Sequence, residues 1–227
     1  MARKAGSRVL HACLVHDGER RHFASARFDR YLRPDGTWSR RHVHTLSGFL
    51  HRRASDGQID YEDFIRSARA LGGAEEAREC FRRAVFNLFT TNRDDHGRNH
   101  AFLYNEADHT WTLSPAYDLN PNVANVLIAL TWLGSAEIPS RFEQLTKLAE
   151  IGGIPARTAK SIYEEVEATT IGGWRSAAAY AGVPEKISDI WAKEMMQQTK
   201  LLREDARRSM APVKMRSAAP EGTPKDK

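Results

Sequence analysis

The sequence has few cysteines and no long apolar run. Cys13 and Cys80 are the only cysteines in 227 residues, which excludes a disulfide scaffold and favours a reduced, cytosolic setting. The apolar stretch ANVLIALTWLG is shorter than the ~18 residues of a membrane-spanning helix, and the basic N-terminus does not have the pattern of a signal peptide. We therefore expect a cytoplasmic protein without membrane segments.

Lysine is absent between Lys4 and Lys147, so arginine supplies most of the positive charge. The net charge of +5 and the pI near 9.3 allow anionic partners such as a nucleotide, a nucleic acid or an acidic protein surface. Because the arginines are spread along helical segments, composition alone explains this charge. Direct DNA binding is not expected.

Turn signals predict a short β region at the start of the chain. Residues 9–30 favour a hairpin with its turn at residues 16–19, and RPDG at 33–36 predicts a second turn. Further along, HAFLYN and TWTLSPAY predict another hairpin around EADH. Together with the helical patterns that follow, these hairpins predict an α+β protein.

Helical periodicity dominates the rest of the chain. Asp60 with Asp63 predicts a capped helix start and Gly72 its stop, and a second helix is expected over residues 74–89 with Arg82 and Arg83 facing solvent. Later helical patterns, the first with a Ser140–Glu143 capping box, occupy residues 140–153, 154–170, 172–182 and 183–202. The Pro-rich and Lys-rich tail from about Ala211 predicts disorder.

Polar side chains are concentrated directly after the apolar helix that ends near residue 89. They are Asn92, Asp94, Asp95, His96, Asn99 and His100. Asp118 follows as a solitary carboxylate in SPAYDLN, and the intervening hairpin would bring it beside this loop. Such a set is costly to place near a core unless it has a function. The pattern therefore predicts ligands that converge on one cation.

Phosphoryl transfer requires carboxylate and amide side chains that converge in this way. In enzymes of this class a carboxylate lies near the attacking hydroxyl of the substrate, and the side chains of an Asn and an Asp bind magnesium. In the protein-kinase catalytic loop the Asn follows the base Asp by five positions, and Asp94 and Asn99 have this spacing. For Asn92, Asp94 or Asn99 taken alone, helix capping or a turn is the better explanation, and only the combination of these residues favours a functional site. A second interpretation is a hydrolase metal site formed by Asp94, His96, His100 and Asp118, with water as the nucleophile.

The stretch FNLFTTNRDDHGRNHAFLYNEADHTWTLSPAYDLNP resembles the catalytic core of the HipA family, the kinase toxins of bacterial type II toxin-antitoxin modules, whose pattern is N-x-D-x-H-x-x-N followed by P-x-Y-D. SARFDR at 25–30 resembles the strand that enters the family's adenine hinge, and a looser similarity extends over residues 10–191. The resemblance implies a mainly helical, HipA-like (protein-kinase-like) C-lobe with a short N-terminal β-hairpin. It also implies transfer of the ATP γ-phosphoryl group to a protein Ser or Thr.

The resemblance implies roles for individual residues as well. Asp94 matches the general base, and Asn99 and Asp118 match the Mg²⁺ ligands. The positions that match nucleotide-binding segments are Ala26, Arg27, Phe28, His96, Gly97, Arg98, Asn99, Tyr117 and Asp118. The implied partners are ATP as substrate, a protein substrate, which is an aminoacyl-tRNA synthetase for some family members, and a DNA-binding antitoxin.

The chain departs from the family in one respect. Only 24 residues precede Ser25, and they contain no glycine-rich phosphate loop. We expect a residual N-lobe and hinge hairpin at 1–32, a C-terminal kinase lobe at 33–205 and a disordered tail at 206–227. Three accounts remain open: a truncated toxin without activity, one half of a split kinase completed by a separate N-lobe subunit, and a fragment that acts by binding partners.

Overall fold

The computed structural model describes residues 1–53, 59–121, 130–135, 139 and 142–209. The strands are β1 (Ala12–Asp17), β2 (Arg20–Ser25), β3 (Arg30–Leu32), β4 (Trp38–Arg40), β5 (Val43–Thr45), β6 (Ile59–Asp60), β7 (Ala101–Asn105), β8 (Thr110–Leu113) and β9 (Leu130–Thr131). The helices are α1 (Leu46–Phe49), α2 (Tyr61–Phe89), α3 (Phe142–Ile151), α4 (Ala156–Tyr180) and α5 (Glu185–Ser209). The expected mainly helical α+β class is confirmed.

Two antiparallel hairpins form the first part of the chain, as the turn signals predict. β1 pairs with β2 from Ala12 opposite Ser25, and β3 pairs with β4 from Arg30 opposite Arg40. Both hairpins project large apolar side chains into solvent, since Phe23 is 74% exposed and Trp38 is 71% exposed. These hairpins therefore contribute little to the described core.

Helix α2 begins where the sequence predicts, and its helical geometry is interrupted at Gly73, directly after the predicted stop at Gly72. The Asp60 carboxylate accepts a hydrogen bond from the Glu62 amide, and the Asp60 amide donates to the Asp63 carboxylate, which forms the predicted capping box. The helix kinks at Gly73, whose φ of 75° is open to glycine at little cost, and then continues to Phe89. The two predicted helices are thus two helical segments that meet at the Gly73 kink, and both are included in α2.

Helix α2 is the centre of the molecule. It packs against β8, α3, α4 and α5, and its apolar side chains, including Phe64, Phe81 and Phe89, are almost completely buried. The prediction that Arg83 faces solvent is wrong, since Arg83 is 1% exposed. Its charge is tolerated there because Glu79, one turn earlier on the same helix, pairs with it.

The C-terminal helices cover one side of α2. The patterns at 154–170 and 172–182 belong to the single helix α4, which passes through Gly172 and Gly173 without a break. Ser140 of the predicted capping box and the tail from residue 210 lie outside the described residues. None of the helices in the described ranges has the length and apolar character needed to cross a bilayer.

A three-stranded antiparallel sheet with the order β5-β7-β8 packs against α2 through β8. The predicted hairpin of β7 and β8 is confirmed, with Phe102 opposite Leu113. Both of these side chains are buried against the core. The sheet holds the chain on either side of the hairpin close to the C-terminal end of α2, where the polar loop begins.

Candidate nucleotide and metal site

The polar loop at residues 92–100 is fixed to the last turns of α2. Thr91 adopts a left-handed φ of 54°, and this turns the chain away from the helix axis. The Asn92 amide then donates to the Asn87 carbonyl at 2.9 Å, and its side-chain nitrogen donates to Asn87 Oδ1 at 3.2 Å. The predicted loop with a buried helix end as its anchor is what the structure shows.

Asp94 and Asn99 are joined directly. Asn99 is 6% exposed, and its Nδ2 donates to the Asp94 backbone carbonyl at 3.1 Å. This bond leaves the amide oxygen of Asn99 as the atom able to bind a hard cation. The Asp94 side chain is exposed, which suits a carboxylate that must meet an incoming hydroxyl.

The second half of the loop packs against the short helix α1. The Ser47 amide donates to the Gly97 carbonyl at 3.0 Å, and the Leu46 amide donates to the His100 carbonyl at 2.8 Å. Gly97 is buried because Ser47 and Ile59 lie against it. His96 is half-buried, and its Nδ1 has no hydrogen-bond partner within the described residues.

Asp118 lies in a strained turn after β8. It is exposed and has a φ of 54°, a left-handed conformation that non-glycine residues seldom adopt, although Asp is among those that tolerate it best. Asn120 Nδ2 donates to Asp118 Oδ1 at 2.7 Å. The strain is a reason to look for function at this turn.

Tyr117 connects the Asp118 turn to the polar loop. Its hydroxyl donates to the Arg98 carbonyl at 2.6 Å. Burial raises the pKa of Tyr117 to about 12, so the hydroxyl stays protonated and can donate at neutral pH. The two segments that carry the predicted metal ligands Asn99 and Asp118 are therefore tied together by one hydrogen bond.

The predicted hinge segment reaches this site through one residue. The Phe28 ring lies 5.2 Å from the Tyr117 ring, centroid to centroid. Arg27 is exposed and pairs with Asp29, and the Ala26 amide donates to the His11 carbonyl, which extends the pairing of β1 and β2. Phe28 is therefore in contact with another predicted site residue, Tyr117. The contacts described for Ala26 and Arg27 are with His11 and Asp29, which are not predicted site residues.

A buried charge network supports the strand that leads to Asp118. Arg83 donates from Nε to Glu79 at 2.8 Å and from Nη2 to the Ser114 carbonyl at 2.6 Å. Glu79 also accepts the Arg8 amide at 3.1 Å, and Glu76 accepts the Arg8 guanidinium and the Leu113 amide. The network fixes the chain four residues before Asp118.

A second buried network lies beneath the polar loop. The Tyr61 hydroxyl donates to Asp95, and His100 Nε2 lies 2.8 Å from Asp95 Oδ1 in an ion-pair contact that is not a linear hydrogen bond. Burial alone would raise the pKa of the Asp95 carboxyl, but the close contact with the charge of His100 and the hydrogen bond from Tyr61 outweigh it, so this pKa lies below its usual value. Burial and the Asp95 charge raise the pKa of Tyr61, which therefore remains a donor.

The interpretation as a four-residue hydrolase metal site does not fit this arrangement. His100 is 2% exposed and already contacts Asp95. Within the ranges that the structure describes, no group of three or more His, Cys, Asp or Glu side chains is placed to hold a metal ion. The oxygen atoms of Asn99 and Asp118 remain as donors of the type that Mg²⁺ prefers, and two protein ligands suffice for Mg²⁺ because it keeps several waters.

Comparison with known proteins identifies the family of this chain. The model of the HipA-like C-terminal domain family matches residues 1–174, which include the loop and the turn described above. The chain belongs to this family. The HipA resemblance noted from the sequence is thereby confirmed.

Two relatives show how far the similarity extends. A Sinorhizobium fredii protein named "Putative kinase Y4mE" is 31% identical over 105 residues, which are 43% of this chain and 24% of that protein. A chain in the solved complex of the Shewanella oneidensis MR-1 toxin-antitoxin system, with HipA, HipB and operator DNA, matches with a TM-score of 0.65 at 19% identity. That match covers 91% of this chain and 53% of that chain, so this HipA-like chain spans about half its length. Because only 19% of the aligned residues are identical, this structural match shows that the two chains share a fold.

Sequence reasoning missed both buried networks of this HipA-like chain. The four-residue spacing of Glu79 and Arg83 was a signal for an ion pair, but it does not reveal whether the pair faces the core. The adjacent Asp94 and Asp95 were a second signal, since a phosphotransfer site needs one base. Only the structure shows that Asp94 is exposed and Asp95 is buried.

Proposed function

We propose that this chain carries the metal-binding and base-bearing part of a HipA-type Ser/Thr protein kinase. The observation that carries the proposal is the pairing of Asp94 with Asn99, in which the residue matching the base holds the residue matching a metal ligand through its carbonyl. The bond from Tyr117 to Arg98 supports it, because it ties the Asp118 turn to the same loop. The family match and the relative named as a kinase support the same reaction class.

In the proposed reaction the oxygen of a protein Ser or Thr hydroxyl attacks the γ-phosphorus of ATP. The bond between the γ-phosphorus and the bridging oxygen breaks, ADP leaves with that bond's electron pair, and Asp94 accepts the hydroxyl proton. Asn99 and Asp118 would hold Mg²⁺, which neutralises negative charge on the phosphates. Arg98 and Gly97 lie in the loop that would face the nucleotide, and Phe28 and Tyr117 would form an aromatic edge of its pocket.

Partners are also part of the proposal. The Shewanella complex contains HipB and operator DNA, and we infer by analogy that a DNA-binding antitoxin holds this chain too. A protein substrate, such as an aminoacyl-tRNA synthetase, follows from the same family analogy.

A second candidate function is partner binding, either as a non-catalytic fragment or as one subunit of a split kinase. The first two hairpins favour it, because exposed apolar side chains are direct cross-strand neighbours there: Leu14 lies opposite Phe23, and Leu32 lies opposite Trp38. Contiguous exposed apolar side chains are typical of a surface that binds a partner. An N-lobe with a phosphate loop and a lysine would both cover such a surface and complete an ATP site. Binding to a partner would then persist in a variant that lacks the Asp94 carboxylate.

The test is ATP binding in the presence of Mg²⁺, measured by calorimetry on variants of the full chain. Asp118→Asn should weaken binding by about tenfold or more, because a charged oxygen ligand is lost. Asp108→Asn, an equal change in the exposed turn between β7 and β8, is the matched control and should bind as the wild type does. Equal affinities for all three proteins would remove Asp118 from the proposed site.

A further inference from the structure

The two adjacent aspartates of the polar loop lie in opposite environments. Asp94 is exposed, whereas Asp95 is 3% exposed and is held between the Tyr61 hydroxyl and His100. A carboxylate this deeply buried cannot meet a protein substrate without a rearrangement of the loop. Its place in the structure has to be explained by what it holds.

The partners of Asp95 come from three places in the fold. Tyr61 is in the first turn of α2, His100 is at the end of the polar loop, and Asn87 near the end of α2 donates to the Tyr61 hydroxyl at 3.3 Å. Asp95 thus connects the polar loop to both ends of the kinked helix. The His100 ring stacks on Phe64 with a centroid separation of 4.1 Å, which fixes the imidazole from its other side.

We propose that Asp95, Tyr61 and His100 are positioning residues, which form a buried clamp that fixes the loop carrying Asp94 and Asn99. The clamp holds the loop at two points in the sequence, residues 95 and 100, and the predicted metal ligand Asn99 lies between them. Within the loop the His96 amide donates to the Asp94 carbonyl at 3.2 Å, and the Asn99 amide donates to the His96 carbonyl at 2.8 Å. The clamp stands on the contacts of this chain, while its link to catalysis rests on the proposed function.

The alternative is that Asp95 stabilises the fold as a whole, without any special effect on the loop. Two features argue against it. Among the described residues, the partners of Asp95 lie on α2 and on the loop itself, so in this part of the chain Asp95 does not join different helices of the core to one another. In addition, the loop's connections to α1, at the Leu46 and Ser47 amides, depend on the carbonyls of His100 and Gly97, which lie within the clamped segment.

Amide hydrogen exchange of the full chain, without nucleotide, tests the clamp. In Asp95→Asn the amides of Leu46, Ser47, His96 and Asn99 should exchange about tenfold faster or more, because the loop loses a charged acceptor. Amides in α4 and α5 should be accelerated by a much smaller factor, which reports only the change in global stability. Asp94→Asn is the matched control, since the Asp94 contacts to the loop use its backbone carbonyl, and it should leave these four rates unchanged.

Tyr61→Phe is the milder second variant if Asp95→Asn does not fold. It removes one hydroxyl and keeps the ring contact with Trp132, whose centroid lies 4.2 Å away. Unchanged exchange in the loop, or an equal increase throughout the chain, would overturn the clamp.

A separate experiment tests the link between the clamp and nucleotide binding. In folded Tyr61→Phe the affinity for ATP with Mg²⁺ should fall, which a purely stabilising role would not cause. Failure of the wild type to bind ATP with Mg²⁺ would instead overturn the proposed function and leave the exchange result to decide the clamp.

Discussion

Replacement of Arg83 by Met should destabilise the protein far more than the same change at its neighbour Arg82. Arg83 is 1% exposed and donates to Glu79 and to the Ser114 carbonyl. Arg83→Met keeps the apolar part of the side chain but removes the charge. The buried Glu79 carboxylate then lacks its counter-ion, and the Ser114 carbonyl lacks its donor. Loss of one partner of a buried ion pair typically costs about 3–5 kcal/mol. Because Glu79 keeps the Arg8 amide as a second donor, we expect the lower end, about 3 kcal/mol.

Arg82→Met is the matched control. The Arg82 side chain is 18% exposed and pairs with Glu165, whose side chain is 48% exposed, so about 1 kcal/mol is expected there. Urea unfolding at neutral pH gives both values from the midpoint and the slope of each transition. A loss for Arg83→Met no larger than that for Arg82→Met would refute the inward, paired role of Arg83.

Three further predictions follow from particular contacts. Gly72→Ala should destabilise the chain by about 1–3 kcal/mol in thermal unfolding, because the added Cβ would lie 2.8 Å from the Trp111 carbonyl oxygen. Gly172→Ala is the control and should be neutral or stabilising, because no atom lies within 4 Å of a Cβ at that position. The pKa of Asp95 is lowered from 3.8 in the folded state, so the ionised Asp95 stabilises the fold above this value, and this stabilisation is lost as the pH falls through the folded pKa. The difference in unfolding free energy between wild type and Asp95→Asn should therefore shrink over that acid range. A difference that stays constant with pH would contradict the lowered pKa. Tyr117→Phe should cost about 1 kcal/mol through loss of its bond to the Arg98 carbonyl, and an unchanged unfolding midpoint would show that this bond contributes nothing.

Local signals in the sequence were sufficient for most of the secondary structure. The hairpin turns, the Asp60 capping box and the apolar face of residues 74–89 depend on neighbouring residues, and the structure confirms them. Errors arose where tertiary contacts decide the outcome. Arg83 was expected in solvent, but it is buried and bonded to Glu79 and to the Ser114 carbonyl, which belongs to a distant segment. The pair Gly172 and Gly173 was expected to begin a new helix, but α4 passes through it and packs against both α2 and α5.

The candidate site shows the same division. The spacing of Asp94 and Asn99 was sufficient to predict that they lie in one loop, because residues five positions apart in a loop are near each other along the chain. The structure joins them by the bond from Asn99 to the Asp94 carbonyl. The position of Asp118 relative to that loop depends on Tyr117 and on the network around Arg83, which join segments far apart in the sequence. Likewise the spacing to Asn99 selects Asp94 as the base, but no pattern in the sequence predicts that Asp94 is exposed and Asp95 is buried, since the burial of Asp95 depends on the distant Tyr61.

The most direct test of the account is a calorimetric titration of the wild-type chain with ATP, once with Mg²⁺ and once with a chelator of divalent cations. The account predicts binding that depends on Mg²⁺, because the cation would join the phosphates to Asn99 and Asp118. Absence of binding at an ATP concentration of about 1 mM, which sets a limit near 4 kcal/mol of binding free energy, would contradict a nucleotide site carried by this chain alone. Equal binding with and without Mg²⁺ would contradict the assignment of Asn99 and Asp118 as metal ligands.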